Sequence, residues 1–309
     1  MNLKKKLVEI TWVVLPSFLP ILILLLVCGP EPGWTAPIII DHNSISEFAS
    51  LSDTAIDAVQ ADIRWHYAHT SHGGQLTSGL QRLENSDSKY SISIGNSYLP
   101  TEAGALNIFN GQESDTYITP EEYWKTTDGI QDTEDVLNHN PTINVSAWAW
   151  CTQLNYYSTA TVQDYLDQMA AFEAEFPDVT FVYMTGNAQA TGSSGAKRYA
   201  NNNLIRDWVE NSDHRVLFDF ADLDAWWFNG SEWEQATYEY NGQTIPVEHS
   251  HFHGSECGHT TYESCEQKGK AVWVMMDEIR QADAVPIPGA VWLLGSGIAG
   301  LMMIRRRGA

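Results

Sequence analysis

Short apolar strands that alternate with amphipathic helices predict an α/β fold: three layers, α/β/α, around a doubly wound, mainly parallel sheet. Two observations carry that expectation. Runs such as "TINVSAWAW" (142–150) and "VTFVYM" (179–184) are apolar and short, as strands covered on both faces must be. Between them lie segments with apolar residues at helical spacing. The clearest is "TVQDYLDQMAAFEAEFP" (161–177), which puts Val162, Tyr165, Leu166, Met169, Phe172 and Phe176 on one face.

The elements follow in order. "ADIRWHYAHTS" (61–71) ends a strand, and "GGQLTSGLQRLE" (73–84) continues as a helix with Leu76, Leu80 and Leu83 at helical spacing. Residues 85 to 125 are mixed and turn-rich. "GIQDTEDVLNHNP" (129–141) is a helix stopped by Pro141. After the strand at 142–150, the next helix starts at Thr161, with Asp164 three residues on. The strand at 179–184 leads to a helix at 196–212 that buries Leu204, Ile205, Trp208 and Val209. "RVLFDFADLD" (215–224) is the next strand. Residues 225–255 form an insertion rich in Trp and Tyr, where Asn241-Gly242 suits the type I′ turn of a hairpin. "EQKGKAVWVMMDEI" (266–279) closes the domain as a helix with Val272, Met275, Met276 and Ile279 inward.

The two ends stand apart from this domain, which spans roughly 38–284. Lys4, Lys5 and Lys6 precede an apolar run from Ile10 to Cys28, so residues 1–36 form an export signal or an N-terminal anchor long enough to cross a bilayer. Residues 285–309 read as a proline turn at Pro286 and Pro288, an apolar stretch from Ala290 to Ile304, and three terminal arginines. That pattern resembles the PEP-CTERM class of bacterial sorting signals, with Ile287 at the place of the usual acid. The resemblance implies an exosortase-type sorting enzyme as partner, transient membrane anchoring through the terminal segments, and a destination in the cell envelope, on the outer surface or in the extracellular matrix. A plain tail anchor is the alternative.

Of the whole chain's 17 Lys+Arg and 39 Asp+Glu, the tails hold six basic residues and only Glu9 and Glu31 as acids. The body therefore carries 11 basic and 37 acidic groups, a net of −26. Such a surface repels nucleic acid, anionic lipid and polyanionic substrates. In an oxidising compartment Cys257 and Cys265, close in sequence, are the best disulfide pair, which leaves Cys151 odd, buried or free.

In a doubly wound sheet chemistry collects at the carboxyl ends of the strands. The loops there are "HTSHGG" (69–74), "WCTQLN" (150–155), "MTGNAQ" (184–189) and "FADLD" (220–224). Ser71 sits where a strand turns into a helix, with Gly73 and Gly74 allowing a tight turn and helix N–H groups placed to hold an oxyanion. A serine needs a base. His259 lies just before the last helix, with Glu256 three residues ahead to fix its tautomer. His69 and His72 flank the serine and orient it or contact substrate. Asn187 offers the pocket a hydrogen bond, and Asp222 is the reserve acid.

On these residues the chain resembles the SGNH (GDSL-like) hydrolases across most of 58–281. The resemblance implies an SGNH/flavodoxin-like sheet, Ser71 as nucleophile, a Gly111 amide and Gln153 as oxyanion donors, and Glu256-x-x-His259 as acid and base. This sequence has "HTS" for "GDS", Gln153 for Asn and Glu256 for Asp. The implied activity is a serine esterase or deacetylase without cofactor. Its substrate is a small ester or an acylated extracellular polysaccharide, for which Trp226, Trp227, Trp233, Tyr238 and Tyr240 can supply stacking faces. Two other expectations compete. A non-catalytic glycan-binding envelope or matrix protein can use the same fold. A zinc-dependent hydrolase can use His249, His251 and His253, which fall on one face if that segment is extended.

Overall fold

The structure is a computed structural model that describes residues 36–112 and 114–283. The tails expected to direct export (1–36, its last residue excepted) and sorting (285–309) lie outside the described residues. No described helix is long and apolar enough to cross a membrane.

Seven strands form one sheet: β1 (Ile38–Ile40), β2 (Arg64–His69), β3 (Ile92–Asn96), β4 (Leu106–Asn110), β5 (Val145–Ala149), β6 (Thr180–Met184) and β7 (Val216–Phe218), in the order β1-β7-β6-β5-β2-β4-β3. Every pairing is parallel. The helices are α1 (Ile45–Phe48), α2 (Asp53–Asp62), α3 (Gly74–Ser86), α4 (Thr127–His139), α5 (Thr159–Glu175), α6 (Gly192–Glu210), α7 (Phe220–Ala225) and α8 (Tyr262–Asp283). Helix α8 packs on α1, α2, α3 and α7, while α5 packs on α6. The fold is therefore the expected three-layer α/β/α arrangement, and β5 is buried at all five residues because helices cover both faces.

The path through the sheet positions the site. From β2 the chain moves outward to β3 and β4 at one edge, then returns to β5 on the other side of β2 and proceeds through β6 to β7. The carboxyl ends of β2 and β5 flank this reversal, where the loops leave in opposite directions, the position at which open α/β sheets place their binding sites.

Three details hold the last helix and its preceding loop near that reversal. Helices α3 and α8 cross at Gly79 and Gly269. A Cβ on Gly79 would lie 1.8 Å from the Cys265 carbonyl oxygen, so only glycine permits this approach. The disulfide Cys257–Cys265 then ties the loop before α8 to its first turn, and Gln75 Nε2 of α3 donates to the Gly258 carbonyl in that loop at 2.6 Å.

Several local expectations need correction. Helix α5 begins at Thr159, because the Ser158 hydroxyl, and not Thr161, accepts from the Thr161 amide as the cap. The stretch read as mixed contains β3 and β4, whose interior asparagine and glycine break the apolar pattern. In "RVLFDFADLD" only Val216–Phe218 is strand; Asp219 caps α7 by accepting from the Asp222 amide. The insertion forms two antiparallel hairpins, β8 (Trp226–Phe228) with β9 (Trp233–Gln235), and β10 (Thr237–Tyr240) with β11 (Gln243–Pro246). Asn241 and Gly242 take positive φ of 52° and 78°, as the expected type I′ turn requires.

Candidate active site at the sheet reversal

The loop after β2 runs directly into a 3₁₀ turn, Ser71–Gly73, that leads into α3. Gly73 is needed there, since a Cβ would meet His69 Cβ at 2.3 Å and Ala149 Cβ at 2.9 Å. The turn thus rests on the ends of β2 and β5, and it brings Thr70, Ser71 and His72 to the loop after β5, which begins Trp150-Cys151.

Cys151 is the centre of this meeting. Its Sγ lies 2.9 Å from His72 Nδ1 and 3.4 Å from Ser71 Oγ. The Thr70 hydroxyl is buried with no other partner, and it too favours the thiolate. Burial pushes the thiol up, but the hydrogen bonds from His72 and Ser71 and the charge of His72 outweigh that and bring it down to about 6. Burial works against protonation of His72, and the bonds to Cys151 and Gln189 with the charges of Cys151 and Asp224 win, so its pKa is raised. The two shifts point the same way, each charged form favouring the other.

The far side of His72 is equally defined. Its Nε2–H donates to Gln189 Oε1 at 2.9 Å. The orientation of that amide follows from its other end, which donates to Glu248 Oε1 at 3.2 Å and to the His259 carbonyl at 2.8 Å. Glu248 also accepts from Thr260 Oγ1. Burial first, and then the Asp224 charge, push Glu248 up to about 7. Asp224 is buried against Lys268 at 2.7 Å.

The Cys151 backbone is pinned as well. Its amide donates to Gln153 Oε1 at 2.7 Å, and its carbonyl accepts from Asn187 Nδ2 at 2.6 Å. Gln153 Oε1 is thereby committed to the backbone, which leaves its NH₂ as the end with hydrogen bonds to offer. At the start of the 3₁₀ turn, the amides of Ser71 and His72 have no backbone acceptor among the described residues, as a helical first turn dictates.

The structure brings together some of the sequence candidates and separates others. Ser71, His72, Gln153 and Asn187 converge on Cys151. His259 joins them through ring stacking on His72, with centroids 4.7 Å apart, and not through a hydrogen bond to Ser71. Burial, and then the neighbouring His72 charge, lower its pKa. His259 adopts φ of +73°, a conformation unusual outside glycine, in the turn closed by Cys257 and Thr260. Glu256 does not orient His259; its Oε2 accepts from the Tyr262 amide at the start of α8. Asp222 accepts instead from His42 Nδ1 at 2.6 Å, at the far edge of the sheet. The Gly111 amide is no oxyanion donor, because it donates to the Tyr67 carbonyl at 2.9 Å. His69 is occupied by the Thr70 carbonyl and Asn110 Oδ1.

The three histidines weighed for zinc do not converge. Ser250–Phe252 forms a 3₁₀ turn rather than an extended segment, so the alternation fails. His249 and His251 stack, His251 lies flat on Trp227 at 3.6 Å, and His253 Nε2 donates to the Glu248 carbonyl. Cys151 itself was legible only as an unpaired cysteine. The signal that could have found it is its place immediately after the central strand, opposite "HTSH" across the reversal.

No protein-family model matches the chain. No match was found among curated proteins either.

Proposed function

We propose that this chain is an exported acyl hydrolase of SGNH-like build, in which a cysteine replaces the serine as nucleophile. Its preferred substrate is an ester, foremost an acetyl group on an extracellular carbohydrate. One observation carries the reading: Cys151 Sγ lies 2.9 Å from His72 Nδ1 while His72 Nε2 is committed to Gln189. That is the arrangement by which a positioned imidazole turns a thiol into a nucleophile at neutral pH.

The thiolate of Cys151 attacks the ester carbonyl carbon, and the carbonyl π electrons move to oxygen. The amides of Ser71 and His72 and the NH₂ of Gln153 are the donors available to that oxyanion. As the tetrahedral centre collapses, the C–O bond to the alcohol breaks and His72 Nδ1 gives its proton to the leaving oxygen. A thioester remains on Cys151. Water then attacks, His72 Nδ1 takes its proton, and the C–S bond breaks to release the carboxylic acid and restore the thiolate. Ser71 serves as a hydrogen-bond donor to sulfur throughout, and His259 covers one face of His72.

The test is hydrolysis of 4-nitrophenyl acetate by wild type, Cys151→Ala, His72→Ala and Ser71→Ala. Loss of kcat/KM of at least about 10³-fold for Cys151→Ala and about 10²-fold for His72→Ala is expected, with Ser71→Ala retaining most activity. Serine catalysis would reverse the order, with Ser71→Ala inactive, Cys151→Ala active and a fluorophosphonate bound to Ser71.

A further inference from the structure

We infer that the chain carries a second ligand site, a saccharide-binding cavity between the β8–β9 hairpin and α8 that shares no residue with the thiol site. It does not depend on the hydrolase reading. The cavity measures about 340 Å³, room for one or two sugar rings. One wall is aromatic, with Phe228 and Trp233 in contact at 5.4 Å between centroids. Phe228 is 45 % exposed, a large apolar face left open to solvent. The facing wall is polar. Glu263, Glu266 and Lys270 lie three and four residues apart on α8 and so share a face, and Gln267 sits among them.

The state of these groups selects the ligand class. Glu263 accepts one hydrogen bond from Trp227 Nε1, and Glu266 accepts one from Arg82. Each carboxylate has further lone pairs to offer. The Lys270 ammonium makes no ion pair with a carboxylate among the described residues; its neighbour is the face of Phe48 at 6.0 Å. A lipid or apolar peptide would strand all three charges. An anion would face two carboxylates, in a body already at −26. A neutral polyol meets every requirement: C–H faces stack on Phe228 and Trp233, hydroxyl groups donate to Glu263 and Glu266, and other hydroxyls accept from Lys270. The site therefore fits a neutral hexose or pentose chain.

Calorimetric titration of the full-length protein with xylotetraose, cellotetraose and chitotetraose tests this. Saturable binding of at least one is expected. Phe228→Ala and Trp233→Ala should each weaken it by about tenfold, the scale of one lost stacking face, while Trp233→Phe stays near wild type. Lys270→Met should weaken it too. The bound tetraose should also slow acetylation of Lys270 in wild type, a readout independent of any variant's folding. The inference falls if none of the three saccharides binds saturably, or if binding is as strong in Phe228→Ala and Trp233→Ala as in wild type. A saccharide site can stand or fall without changing whether Cys151 becomes acylated, so failure here and failure of the hydrolase reading are separate results.

Discussion

At the scale of single residues, the account turns on one half-buried amide. Gln189 holds His72 in one tautomer only because its own NH₂ is occupied by Glu248 and the His259 carbonyl. Gln189→Leu should therefore lower kcat on the order of 10²-fold while leaving KM near its value, because the substrate does not require that contact. The same substitution should raise the pH at which the thiol ionises. Glu248 adds a sign that can be checked. Its folded pKa, about 7, stands above the ordinary 4.5, so its contribution to stability is present below pH 4.5 and is lost as pH rises through 7. Glu248→Gln should gain stability relative to wild type above pH 7 and little below 4.5, as read from denaturant midpoints across pH.

At the scale of elements, the α3–α8 crossing is the joint that sets the site. Gly79→Ala places a methyl group against the Cys265 carbonyl, and the two helices must part. A loss of about 2–3 kcal/mol in unfolding free energy is expected, with α8 and the His259 loop displaced. A Gly79→Ala variant of unchanged stability would mean that the crossing is looser than described. This joint also marks what the sequence could show. Helices α3, α4, α5, α6 and α8 and strands β2, β5 and β6 were legible, the helices from apolar residues at helical spacing and the strands from short runs rich in aromatic and β-branched residues. The strands β3 and β4 were not, since Asn107 is buried for the hydrogen bonds it makes to the Glu102 and Ala105 carbonyls, and β3 ends in Gly95-Asn96. Of the site, Ser71 and Gln153 were legible from their positions after strands. The roles of Cys151, His72 and Gln189 were hidden because they arise only when three loops, far apart in the chain, meet at the reversal. Glu256 looked like a triad acid by its three-residue spacing from His259, and its carboxylate reaches past that residue to the Tyr262 amide at the start of α8.

At the scale of the whole molecule, the sheet is built around a histidine that must stay neutral. His66 in β2 is fully buried, bonded to Ser146 Oγ and the Gly111 carbonyl, and burial lowers its pKa to about 4 against the opposing effect of the Gly111 bond. A folded value below the unfolded 6.5 means stability present above pH 6.5 and lost as pH falls toward 4, about 3 kcal/mol in full. His66→Gln, costly in packing at every pH, should flatten the acid limb of the stability curve between pH 6.5 and 4. An unchanged limb would place the acid-sensitive group elsewhere. The central claim, that this fold holds a thiolate ready for acyl transfer, is tested most directly by the pH dependence of Cys151 alkylation. With iodoacetamide and mass-spectrometric readout on the native protein, the rate should rise with a midpoint near pH 6 in wild type, and His72→Ala should move that midpoint toward the ordinary thiol range. A wild-type midpoint near 9, unchanged by His72→Ala, would contradict it.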